Sequence, residues 1–116
     1  VTIHKGRAGD LLDRVMSNVP RHLNLCVLHA LTEHHFDEAE YARVRQALVE
    51  VSRERVIHVA GFEWPRYNYN ARASEDVHLT LTRYSGGRSE GRLLATSDRR
   101  GNSTWLQLEP SVPNNA

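Results

Sequence analysis

Residues 37–62, DEAEYARVRQALVEVSRERVIHVAGF, read as one amphipathic helix that turns directly into a β-strand. Tyr41, Val44, Ala47, Leu48 and Val51 fall at the i, i+3, i+4, i+7 spacing of a single helix face, and Arg43, Arg45, Gln46, Glu50 and Arg53 occupy the flanks and back. Asp37 followed by Glu40 has the spacing of a capping box, in which each carboxylate satisfies a backbone N–H that the first helical turn leaves unpaired. Beyond the helix the period changes. Val56, Ile57, His58, Val59 and Phe62 are largely β-branched or aromatic and form a run too short for a second helix.

Working outward towards the amino terminus, Leu23, Val27, Leu28 and Leu31 suggest a second helix over about residues 21–33, just after Pro20. Leu11, Leu12, Val15, Met16 and Val19 suggest a first helix over residues 7–19, which Pro20 ends. Residues 1–6 carry no periodic signal and read as an arm. In the other direction, residues 63–76 are rich in Asn, Arg and Tyr and read as an extended loop. The alternation from His78 to Tyr84 predicts a strand that pairs antiparallel with the one at 56–62, and Ser85-Gly86-Gly87 ends it. A second candidate hairpin joins RLLATS to STWLQLE across residues 98–102, and residues 110–116 have the composition of a frayed tail.

The expected fold is therefore α+β: three helices in a winged helix-turn-helix arrangement, an antiparallel β-hairpin wing and a further C-terminal hairpin. Its divisions are an arm at 1–6, a winged-helix domain at 7–84, a hairpin extension at 85–109 and a tail at 110–116. The segment VRQALVEVSRERVIHVAGFEW resembles the passage from recognition helix to wing in winged-helix DNA-binding domains of bacterial, phage and plasmid regulators. Val44, Ala47, Leu48 and Val51 match that family's packing positions, and Arg55, Val56, Ile57, His58, Val59, Gly61 and Phe62 match its turn and strand. Two features depart from the pattern. Glu54 and Arg55 stand where a turn glycine is usual, and the helix begins on the acidic Asp37, Glu38 and Glu40.

The resemblance implies a sequence-specific transcriptional regulator that binds double-stranded DNA, with the third helix in the major groove and the wing on the phosphates. Arg43, Arg45 and Gln46 are then the candidate base readers, since Gln and Arg offer bidentate donors and acceptors to adenine and guanine. Arg53, Arg66, Tyr67, Asn70 and Arg72 are the candidate backbone contacts, where cations interleave with aromatics and amides. A regulator of this kind is expected to act as a homodimer, because two-fold operators match two-fold proteins. Trp105, Leu106 and Leu108 are the candidate pairing surface. The opposing reading is a winged-helix protein-interaction module, favoured by a formal charge of only +1.

Composition narrows the rest. A chain of 116 residues with 40% hydrophobic and 25% charged residues fits one globular domain. No apolar run approaches the ~20 residues of a membrane span, so no membrane is expected, and a lone Cys26 suits a cytoplasmic location. Cys26 and His29 have C-x-x-H spacing with His34 and His35 nearby, but a structural zinc site needs four converging ligands and no second cysteine pair is present. No phosphate-cradling loop, nucleophile elbow or H-E-x-x-H motif appears. No enzymatic activity, metal or cofactor is expected.

Overall fold

In the computed structural model, the described residues are 1–65, 76–98, 100 and 102–105. The element order is α1 (Ala8–Ser17), β1 (Leu25–Ala30), a 3-10 turn (Glu33–His35), α2 (Glu38–Ser52), β2 (Ile57–Glu63), β3 (Val77–Ser85), β4 (Arg88–Ser97) and β5 (Ser103–Trp105). The strands form one mixed sheet in sequential order, β1-β2-β3-β4-β5. β1 and β2 are parallel, with α2 as the crossover between them; every later pairing is antiparallel. A parallel pair needs such a crossover because its second strand must start again at the same end as the first.

This architecture replaces the three-helix winged helix expected from the sequence. Among the described residues there are two α-helices, and the segment read as the middle helix is the strand β1. Its leucines fit either period, but Leu25, Val27 and His29 alternate with Cys26, Leu28 and Ala30 across the strand, and the former set faces the helices. The spacing that suggested a Cys26–His29 metal pair thereby places the two side chains on opposite faces. Helix α1 and the long helix α2 lie close to their expected positions, as do the strands β2 and β3.

Asp37 caps α2 by accepting a hydrogen bond from the Glu40 backbone N–H at 2.7 Å. Glu40 is itself buried and turns to the Arg43 guanidinium at 2.6 Å. Met16, Leu25, Leu48, Ile57, Val59 and Tyr84 form the core between the helices and one face of the sheet. The departures from the winged-helix pattern have structural roles of their own. Arg55 donates to the carbonyls of Val19 (2.6 Å), Pro20 (3.3 Å) and Leu23 (2.8 Å), tying the α1–β1 connection to the start of β2. Gly86 and Gly87 have φ of 60° and 81°, the left-handed pair that a two-residue hairpin turn demands, so Ser85-Gly86-Gly87-Arg88 joins β3 to β4. The backbone N–H groups of both glycines donate to Ser52, at the end of α2, which seats the helix on the turn.

The expected second hairpin is represented by the β4–β5 pairing across Asp98–Asn102. Leu106, Leu108 and the tail at 110–116 lie outside the described residues, as does most of the loop read as the wing.

Candidate functional site

The sites of open sheets with parallel strands lie in the crevice beyond the carboxyl ends of those strands. Here β1 ends beyond His29 and β2 ends at Glu63, so the fold delivers an imidazole and a carboxylate to that crevice. His29 Nδ1 lies 2.6 Å from Glu63 Oε2. The Glu63 side chain is only 8% exposed, a position where an ionised group needs partners. Backbone geometry supplies them. Leu31 adopts a left-handed φ of 50°, and the chain curls so that Thr32 N–H donates to Glu63 Oε1 at 2.8 Å and Glu33 N–H at 3.2 Å. The loop after β1 is thus folded around a carboxylate carried by β2.

Since Glu63 accepts, Nδ1 carries the proton, and the neutral ring presents Nε2 as an acceptor. The hydrogen bond to Glu63 holds the His29 pKa above its ordinary value; the charges of Glu33 and Glu63 add to this, and partial burial opposes it. Gly61 makes room for the ring: a Cβ on Gly61 would stand 2.6 Å from His29 Cε1 and 2.7 Å from Nε2. A side chain at position 61 would require the imidazole to shift.

His29 lines a cavity of about 380 Å³ between α2 and the sheet. Val27, Val44, Leu48 and Val59 give it an apolar floor, while Thr80, Thr82, Tyr41, Tyr84 and Arg45 bring hydroxyls and a cation to it. Burial pushes the Tyr84 phenol pKa up, against the opposing charge of Arg45, whose guanidinium carbon sits 5.9 Å from the centre of the Tyr84 ring. Tyr84 therefore enters the cavity as a neutral hydroxyl near pH 7.

His29, Glu33 and Glu63 also bring one ligand atom each within 4.8 Å of one another, the spacing of a cation site. The hydrogen bonds weigh against that use. Thr32, Glu33 and His29 already occupy the oxygens of Glu63, and a metal would have to displace them.

Of the described residues expected to contact DNA, Arg45 alone lines this cavity. Arg43 is paired with Glu40 at 2.6 Å and Asp10 at 3.7 Å, and Arg53 with Glu50 at 3.5 Å. Arg45 and Gln46 are exposed on α2, with the Arg45 head over Tyr84. Arg66, Tyr67, Asn70 and Arg72 lie outside the described residues. Sequence reading weighed His29 only beside Cys26 and passed over Glu63, because His29 and Glu63 are 34 residues apart and meet only through the parallel pairing. The one local signal was Glu63 itself, a carboxylate closing a strand that otherwise alternates into the core.

No described helix is long and apolar enough to cross a membrane. No curated protein and no solved structure matches the chain. The family model that does match carries no winged-helix or DNA-binding description, which overturns the resemblance drawn from residues 44–64. That model covers residues 1–105, and the chain accordingly belongs to the bacterial family described as "Uncharacterized protein conserved in bacteria (DUF2332)".

Proposed function

We propose that the cavity between α2 and the sheet binds a small organic acid with an apolar body, and that His29 exchanges a proton with it. The observation that carries this reading is the His29–Glu63 pair: Nδ1 is fixed by a buried carboxylate, while Nε2 has no hydrogen-bond partner among the described residues and the ring lines the cavity. A histidine oriented this way is equipped to act as a base, or as a cation once protonated. The cavity volume lies within the range of small-molecule sites, and apolar walls with a few converging polar groups suit a ligand of mixed character. Arg45 and protonated His29 supply positive charge for an anionic head group, and Val44, Leu48 and Val59 surround the apolar part.

The test is an NMR screen of aryl and branched-alkyl carboxylic acids against the methyl-labelled protein. Binding acids are expected to shift the Val27, Leu48 and Val59 methyls together and to weaken as pH rises through the His29 pKa. His29→Gln should flatten that pH dependence while leaving the fold intact. Absence of shifts at these methyls for every acid tried would overturn the proposal.

Duplex DNA binding is a competing proposal, supported by the exposure of Arg45 and Gln46 on α2. It requires retention on random duplexes at low salt with a steep loss as salt is raised, and Gln46→Ala and Arg45→Ala should weaken that retention.

A further inference from the structure

A βαβ crossover covers one face of its strands with a helix, and sheets built wholly of parallel strands are covered on both. In this fold α2 and α1 pack on the face that carries Ile57, Val59 and Tyr84. The opposite face is open among the described residues. On it Leu28 is 76% exposed, and Ala30, Ala60, Phe62 and Leu79 join it in one shallow apolar surface. The strand register places these side chains beside one another: Leu28 opposite Ala60, Ala30 opposite Phe62, and Ala60 opposite Leu81.

Towards the amino ends of β1 and β2 the same face changes character. His58 lies opposite Arg83, Arg92 lies opposite Leu81, and Arg88 stands at the start of β4. The three arginines are exposed and make no ion pair among the described residues, and Glu90, opposite Arg83 in the register, is the acidic residue that shares their surface. The face thus has an apolar patch continuous with a cationic border.

We propose that this face docks an amphipathic α-helix of a partner protein, its apolar stripe on Leu28, Ala60, Phe62 and Leu79, and acidic side chains at one end meeting Arg83 and Arg92. An amphipathic helix is the occupant we assign because its apolar stripe matches a flat apolar sheet face, as α2 does on the other side of β1 and β2. Charge complementarity sets its chemistry, as unpaired arginines beside the patch favour carboxylates and repel lysines. The patch lies on the face of the sheet opposite the His29 cavity, although His29 borders both.

Cys26 provides an internal reporter, because it is exposed on this face and pairs in register with His58. The probes are two synthetic helical peptides of identical Leu/Ala stripe, one flanked by Glu and its twin by Lys at the same positions. The Glu peptide is expected to slow modification of Cys26 by a maleimide saturably, and the Lys twin to require at least about tenfold higher concentration for the same protection. Leu28→Glu should abolish protection by both peptides, and the Arg83→Glu/Arg92→Glu double variant should reverse the preference, with circular dichroism confirming that each variant is folded. Equal protection by the twins, or none by either, overturns the proposal. So does self-association in sedimentation that Leu28→Glu abolishes, since a second copy would then be the occupant.

Discussion

His29 and Glu63 are joined by a short hydrogen bond whose strength depends on the charge of both, so their contribution to stability depends on pH. The folded-state pKa of His29 is raised above its unfolded value. Its stabilising contribution is therefore fully present below the unfolded pKa and is lost as pH rises through the folded pKa. Thermal unfolding of wild type and His29→Gln should accordingly differ most in mildly acidic buffer, and the difference should shrink as pH rises past the His29 pKa. A constant difference would mean that folding leaves the His29 pKa unchanged. Glu63→Ala removes the acceptor for Thr32 N–H and Glu33 N–H as well as for His29, and is expected to cost roughly 1–3 kcal/mol for each buried group left without a partner. Gly61→Ala tests the same pair from the other side. Its methyl would meet the ring at 2.6 Å, so it should displace His29, destabilise the fold by roughly 1–3 kcal/mol and remove the acid-side stabilisation that His29→Gln removes.

At the scale of elements, α2 is held by its cap, its buried stripe and its seat on the β3–β4 turn. Leu48 is 5% exposed in the core, and Leu48→Ala should cost about 2–5 kcal/mol through lost transfer energy and the cavity left behind. Asp37→Ala should cost about 1 kcal/mol by releasing the Glu40 N–H. Chemical denaturation measures both, and an unchanged midpoint for Leu48→Ala would remove it from the core. Arg55→Ala should remove the donor to the carbonyls of Val19 and Leu23, Pro20 keeping the Leu23 N–H, and lower stability by about 1–3 kcal/mol, as expected for hydrogen bonds to a charged donor. Helix α2 and strand β2 were legible in the sequence because their signals are local: a cap, a 3.6-residue stripe and then a β-branched run. Strand β1 was not. Leu23, Val27, Leu28 and Leu31 satisfy a helical spacing, and the alternation of Leu25, Val27 and His29 is short and holds one β-branched residue. What decided between the two periods was pairing with β2, more than thirty residues away, which no local pattern encodes.

Across the whole molecule, one sheet separates two surfaces with different chemistry. The helix-covered side holds the core and the His29 cavity, and the open side holds the apolar patch with its arginines. Reading β1 as a helix hid both, since a helix cannot place His29 beside Glu63 or sort Cys26 and Leu28 onto an opposite face. The acidic start of α2 also takes its meaning from the fold: Asp37 caps the helix and Glu40 pairs with Arg43. The parallel β1–β2 pairing brings His29 against Glu63 at its carboxyl end, and everything proposed for the cavity rests on that pair. NMR titration of the His29 ring nitrogens in wild type and Glu63→Gln measures it. The expected result is a proton on Nδ1 in the neutral ring, a pKa above that of a free imidazole, and a fall in that pKa when Glu63 loses its charge. A His29 that titrates at its ordinary value and does not respond to Glu63→Gln would contradict it.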